Sequence, residues 1–299
     1  MPMPPSYLVL VPFYENPMYL RATMQSVLAQ TDQDWSALVV DDSIAGDAAG
    51  SVVSELGDQR ITYVRNDGNL GVARSFNRCF DLAIERGAQL ATILHADDLL
   101  EPAYIEVMKA AHAAHPAAAC VAPGVTVIDA AGTPSRTVPD TVKNWLRPRQ
   151  VDCLQGERGL ERLLRGQFFY CPSVSYRLAM LRLPAWNTRW QQVMDLELYS
   201  RVLLDGGEIR LISRPLFRYR RHDESMTQLN SVTMVRSEEE TALCRELVAE
   251  CVSKGWRRAA RAGRFRITVR LQASMRACIS LLHRRFGDSW RALCLAIWP

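Results

Sequence analysis

Apolar positions in the first hundred residues fall into two kinds of pattern. Short runs at Tyr7 to Val11, ended by Pro12, and at Trp35 to Val40, Ile61 to Val64 and Leu90 to Leu94 have the length of buried strands. Between them, Leu20, Met24, Val27 and Leu28, and later Val72, Phe76, Cys79, Phe80 and Ile84, recur at the three-to-four spacing of a helix face. Strands alternating with helices predict an α/β fold with a mostly parallel sheet covered on both faces. The second half is less regular. A helix to about His112, an apolar stretch from Cys120 to Ile128, a loop excursion from Thr133 to Gln150 and a helix carrying Val193, Leu196, Val202 and Leu203 come first. Strand-like pieces at Glu208 to Ser213 and Leu216 to Tyr219 follow, and beyond Asn230 the pattern is helical, with no internal repeat.

Composition narrows the classes. Of 299 residues 48% are hydrophobic and 23% charged, which suits a globular chain rather than a disordered one, and a formal charge of +4 gives no reason to expect nucleic acid as a partner. The eight cysteines are scattered without a Cys-x-x-Cys pair and read as reduced thiols. The start lacks the charged and apolar regions of a secretory signal, and no later run is long enough to span a bilayer, so a cytoplasmic location is expected. From Lys254 onward arginines dominate and Asp288 is the only acid. There Ile267, Leu271, Met275, Cys278, Ile279 and Leu282 form an apolar stripe, either packed on the preceding domain or resting peripherally on an anionic membrane.

Ligands of a parallel sheet bind beyond the carboxyl ends of its strands, so the polar residues that follow each strand matter most. They are Tyr14 and Glu15, then Asp41 and Asp42, then Asn66 and Asn69, and finally Asp97 and Asp98. Carboxylates gathered on one edge repel one another unless a cation or ligand donors offset them. Pro102 suits a first helical position, which assigns the cap of the next helix to Glu101 and leaves Asp97 and Asp98 for another use.

Four motifs, in order, carry a family resemblance: Val11-Pro12-Phe13-Tyr14-Glu15, Val39-Val40-Asp41-Asp42-Ser43, Arg65-Asn66-Asp67-Gly68-Asn69-Leu70-Gly71-Val72-Ala73-Arg74, and His95-Ala96-Asp97-Asp98. In these the chain resembles glycosyltransferase family 2, inverting enzymes of the GT-A fold, over roughly residues 7 to 227. The resemblance implies a Rossmann-like domain over residues 1–230, followed by a basic helical extension over 231–299. It implies a nucleoside diphosphate sugar donor, with the uridine-linked class first, and a glycan or glycolipid hydroxyl as acceptor, as in bacterial surface polysaccharide assembly. Asp97 and Asp98, with His222, would hold Mn2+ or Mg2+. Pro12, Tyr14, Glu15, Asp42, Asn69, Asp97 and Arg221 would contact the donor, while Arg74 faces either its phosphates or solvent.

The segment Gln191 to Leu198 resembles the family's acidic motif, with Met194-Asp195 in place of the frequent Glu-Asp pair, and assigns Asp195 as the catalytic base. Glu197, two residues on, points elsewhere on a helix. Trp186 and Trp190 are open to two uses, stacking on an acceptor sugar or packing. His95 stands where the family often has an acid. That departure, with Met194, leaves a noncatalytic nucleotide-sugar binder as the alternative. A nucleotidyltransferase or dinucleotide enzyme lacks support, since the chain has neither a Gly-x-Gly-x-x-Gly fingerprint after a strand nor a Gly-x-x-x-x-Gly-Lys phosphate loop.

Overall fold

A computed structural model describes residues 6–148, 150–222 and 235–266, with single positions from 270 to 294. The stripe residues Ile267, Leu271, Met275, Cys278, Ile279 and Leu282, and residues 223–227 at the end of the family resemblance, lie outside the described residues. The sheet contains β1 (Tyr7–Phe13), β2 (Ser36–Asp41), β3 (Ile61–Arg65), β4 (Leu90–Ile93), β5 (Leu99–Leu100), β6 (Ala118–Ile128), β7 (Cys153–Gln155), β8 (Ser175–Arg177) and β9 (Glu208–Arg220). Their order is β3-β2-β1-β4-β8-β6-β9-β5, with β7 also on β9. The first four run parallel, so their carboxyl ends open on one edge.

Successive residues of β1 and β2 point into different cores, which is why these strands read as unbroken apolar runs. Leu8, Leu10, Leu38 and Val40 pack with Phe76, Cys79 and Phe80 of α3 (Val72–Glu85) and with α6 (Gly156–Arg165) and α7 (Met194–Leu204). Val9, Val11, Ala37 and Val39 face Leu20, Met24 and Val27 of α1 (Leu20–Leu28) and Tyr104, Ile105 and Met108 of α4 (Tyr104–Ala114). A short α2 (Ala48–Leu56) lies between β2 and β3.

Three expectations need correction. The span from Thr133 to Gln150, expected as a loop, contains α5 (Val138–Leu146), which Thr137 and Asp140 close with a capping box. Pro139 lies in its first turn, where a missing N–H costs nothing, so it marks a helix start and not a break. Glu101 does not cap α4, which begins at Tyr104 behind Ala103; its carboxylate binds Arg218 at 2.6 and 3.2 Å. The two strand pieces after Glu208 are one strand. It passes Gly124 of β6 with register shifts at Pro215, where a β-carbon at 124 would stand 2.7 Å from the Ser213 carbonyl oxygen.

Trp186 and Trp190 are both buried, and Trp186 meets Phe76, Phe80 and Tyr176 at ring separations of 5.2 to 6.1 Å, so packing is their use. The described cysteines are all free thiols. Beyond residue 230, α8 (Val235–Ser253) and α9 (Arg257–Phe265) add Leu243, Cys244, Leu247, Cys251, Ala259 and Ala260 to the core around α6 and α7. Among the described residues no helix is long and apolar enough to cross a membrane.

His112 of α4 is buried with Nε2 3.1 Å from Ser175 Oγ, and Nδ1 has no hydrogen-bond partner among the described residues. Burial, helped by the Arg177 charge, lowers its pKa to about 4. An unfolded histidine titrates near 6.5, so the unfolded chain takes up this proton first as pH falls, and native stability drops from about pH 6.5 downward until the folded group titrates. The loss at pH 5 should be on the order of 2 kcal/mol. Melting temperatures of the wild type and His112→Gln between pH 7 and pH 5 check this: the variant should show a flatter decline, and parallel declines would refute the assignment.

Candidate active site

The turn after β4 brings three ligand-type side chains together. One nitrogen of His95 and one carboxylate oxygen each of Asp97 and Asp98 lie within 4.8 Å of one another. Asp98 is fully buried, and its Oδ1 accepts the backbone N–H of Arg220 at 2.7 Å. Among the described residues its Oδ2, 4.0 Å from His95 Nδ1, has no hydrogen-bond partner, and neither has the buried Nε2 of His95. Burial, then the charge of Asp97, pushes the Asp98 carboxyl well above the usual carboxylate range. Burial opposes ionisation of Asp97 as well, yet the hydrogen bond from His222 and the neighbouring imidazoles outweigh it and hold its pKa low.

His222 enters from β9, with Nε2 2.8 Å from Asp97 Oδ2 and its ring 5.1 Å from that of Tyr19. Arg220, two positions earlier, fixes this junction. Its guanidinium donates to the carbonyl oxygens of Asp97 at 2.8 Å, Asp129 at 3.2 Å and Ala130 at 2.9 Å, and its charged carbon lies 4.6 Å from the Tyr19 ring centre.

The donor-side residues gather at the ends of β1 and β2. Pro12 is partly buried in register with Val40, and Tyr14 beyond it is 50% exposed. Glu15, exposed, sits at φ 54°, a left-handed conformation uncommon for a residue with a β-carbon, and its N–H donates to Ser43 Oγ at 2.8 Å. The Asp42 carboxylate accepts from Asn66 Nδ2 and from the backbone N–H groups of Leu70 and Gly71, at 2.8, 2.9 and 3.1 Å. Asp42 therefore shapes the 66–71 turn that leads into α3. Asn69 donates to the Asp42 carbonyl oxygen at 3.3 Å, Asp41 binds Tyr63 and the N–H of Ser43, and Arg74 is exposed on the first turn of α3.

Asp195 lies in the first turn of α7, one residue inside the helix, so it is not the cap. Its Oδ1 accepts the N–H of Leu196 at 2.8 Å and its Oδ2 accepts Gln167 Nε2 at 2.5 Å. Burial lowers the pKa of His95, against the opposing charges of Asp97 and then Asp195. Glu197 is held by Arg201 at 3.0 Å on another face of the helix. Lys143 of α5 binds the Phe169 carbonyl oxygen at 3.1 Å; burial, then Arg236, lowers its pKa to about 8, against a raising effect of Asp195. Arg221 is engaged by Asp140, with guanidinium-to-carboxylate distances of 2.8 and 2.5 Å, rather than joining the cluster at Asp97.

Sequence reasoning missed Arg220, Gln167, Tyr19, Asp140 and Lys143. Only Asp140 had a local signal, since Thr137-Val138-Pro139-Asp140 is a capping-box pattern. Gln167 has none: its partner lies 28 positions away and meets it only through the packing of α6 on α7.

The architecture is that of the GT-A fold. S. aureus TarS 1–349 in complex with UDP-GlcNAc aligns with a TM-score of 0.63 at 15% identity, over 83% of this chain and 66% of that one. The same fragment in complex with UDP aligns with a TM-score of 0.59 at 13% identity, over 97% and 90%.

Residues 8–182 match the family Glycosyl transferase family 2, and the chain belongs to that family. Relatives include the uncharacterized glycosyltransferase MJ1057 of Methanocaldococcus jannaschii, 32% identical over 33% of this chain and 33% of its own. Glycosyltransferase GlyA of Streptococcus pneumoniae serotype 4 is 29% identical over 33% of this chain and 14% of its own. The chain thus matches at most about a third of the length of these curated relatives.

Proposed function

We propose that the protein is an inverting, metal-dependent glycosyltransferase that moves a sugar from a nucleoside diphosphate donor to a hydroxyl of a glycan or glycolipid. The observation that carries this is the gathering of His95, Asp97 and Asp98 ligand atoms within 4.8 Å at the carboxyl edge of the parallel strands. The unpaired Asp98 Oδ2 and the mixed carboxylate and imidazole donor set fit a hard or borderline divalent cation, Mn2+ or Mg2+, with His222 as a further ligand. When bound, that cation supplies the positive charge that offsets charge developing on the departing diphosphate.

The rest falls to the chain's own side chains. Tyr14 and Glu15 offer a ring face and a carboxylate to base and ribose, and Asp42 holds the 66–71 turn in shape beneath them. Asp195, oriented by Gln167 and the N–H of Leu196, takes the proton of the acceptor hydroxyl. The acceptor oxygen then bonds to the anomeric carbon from the face opposite the diphosphate, whose bond to that carbon breaks with inversion. Arg221, engaged with Asp140, holds α5 against the end of β9 and so supports His222.

The fold neighbour crystallised with UDP-GlcNAc makes uridine-linked sugars the first donors to try. Released nucleoside diphosphate should rise when a matching donor is supplied with Mn2+ and fall to background when the metal is chelated. Neither turnover nor a melting shift with any nucleotide sugar would overturn the reading.

A further inference from the structure

Helix α9 carries Arg257, Arg258, Arg261 and Arg264 and no acid. Its inner face is Ala259, Ala260 and Gly263, small enough for a close approach: a β-carbon at 263 would lie 2.8 Å from Val248 Cγ2 and 3.5 Å from Leu164 Cδ1. That approach sets Arg258 beside Arg158, Arg162 and Arg165 of α6 around a cleft of about 310 Å³, with Glu161 as the remaining lining residue. The acids nearby are engaged locally, Glu161 with Arg165 at 2.5 Å and Glu157 with the N–H of Arg258 at 2.6 Å. Among the described residues four guanidinium groups therefore share a cleft with one carboxylate.

Phe265 ends α9 and is 54% exposed. It follows Arg258 by seven positions, so the two share one stripe of the helix about 10 Å apart, with Arg261 between them. An exposed aromatic ring beside arginines offers a bilayer an apolar contact together with charges for its headgroups.

We infer that the α6 and α9 face docks on a bilayer containing anionic phospholipid, with a headgroup phosphate in the arginine cleft and Phe265 entering the interface. Guanidinium forks match phosphate oxygens, which selects a negative partner. The ring selects lipid over a soluble polyanion, because it gains only where an apolar medium receives it. Helix α6 runs through Gly166 into Gln167, the partner of Asp195, so docking sets the Asp195 end of the site close to lipid-borne hydroxyls. The docking surface stands on its own residues and does not depend on the transfer reading.

Flotation of the full chain with vesicles of phosphatidylcholine, alone or with phosphatidylglycerol, tests this. The wild type should float only with the anionic vesicles. At about fivefold in partition per surface arginine, Arg258→Glu combined with Arg261→Glu should cut partition at least tenfold. Phe265→Ser should reduce it severalfold while leaving retention on a heparin column unchanged. Melting temperature and donor hydrolysis in solution should stay at wild-type values in both variants, which separates loss of docking from loss of fold. A wild type that ignores anionic vesicles, or a double variant that floats as well as the wild type, would overturn the proposal. A Phe265→Ser chain with undiminished flotation would assign the face to a soluble polyanion, and protection by inorganic phosphate without flotation would assign the cleft to a free anion; either result also overturns it.

Discussion

Asp195→Asn is expected to lower sugar transfer by about 10²–10⁴-fold, the usual contribution of a positioned general base, with donor binding unchanged. The asparagine keeps the shape and can still accept the N–H of Leu196, as Asp195 Oδ1 does at 2.8 Å, so α7 should start as before. What it lacks is the anionic oxygen that takes the acceptor's proton. The same group receives the Gln167 amide at 2.5 Å, and that bond leaves the carboxylate held at one angle instead of sampling several. The effect should fall on kcat, with the KM for donor close to the wild-type value, because the donor contacts proposed for Tyr14 and Glu15 are untouched by the change. Steady-state kinetics with saturating donor checks this, and a variant that keeps a tenth or more of wild-type kcat would remove Asp195 from the mechanism.

The second large effect is expected at Asp98. Asp98→Asn is isosteric and can keep the bond from the Arg220 N–H, which joins β9 to the turn after β4 at 2.7 Å. It replaces the unpaired Oδ2, or its partner oxygen, with a neutral group at the place where the proposed cation sits. Transfer should drop roughly 10²–10³-fold, the scale seen when one preorganised stabilising group is removed. Metal-free melting should be little changed, since burial disfavours the ionised carboxyl at this position and the amide has the same shape. The stabilisation that the wild type gains from saturating Mn2+, about 2.7 kcal/mol at a hundred times its dissociation constant, should be mostly lost. Equal Mn2+ stabilisation of wild type and variant would place the cation elsewhere.

Much of this fold was legible because the parallel strands bury both faces. Continuous apolar runs such as Tyr7 to Val11, and the heptad-like recurrence from Val72 to Ile84, leave few other solutions once they alternate. The candidate site was legible where its residues follow a strand directly, as Asp42, Asp97 and Asp98 do, since strand direction alone sends them to one edge. His95 was legible only as a departure from the family's usual acid; the turn folds back so that it meets Asp97 and Asp98, which the linear motif does not specify. The α5 helix is hidden because the prolines and arginines between Thr133 and Gln150 give that segment the look of a loop, and β9 reads as two strands because Pro215 and the bulge opposite Gly124 interrupt its apolar pattern.

The sequence by itself determined the α/β class, the four motifs and the family, because local spacing and strand direction decide those. Tertiary structure alone decided which groups meet across long separations. Arg220 locks onto Asp97 and Asp98 from more than a hundred positions away, Gln167 reaches Asp195 through the packing of α6 on α7, and Arg258 of α9 joins the arginines of α6. None of these pairs has a local signature, since each forms only when two elements that are distant in the chain bury a shared apolar face and carry their polar residues along with them.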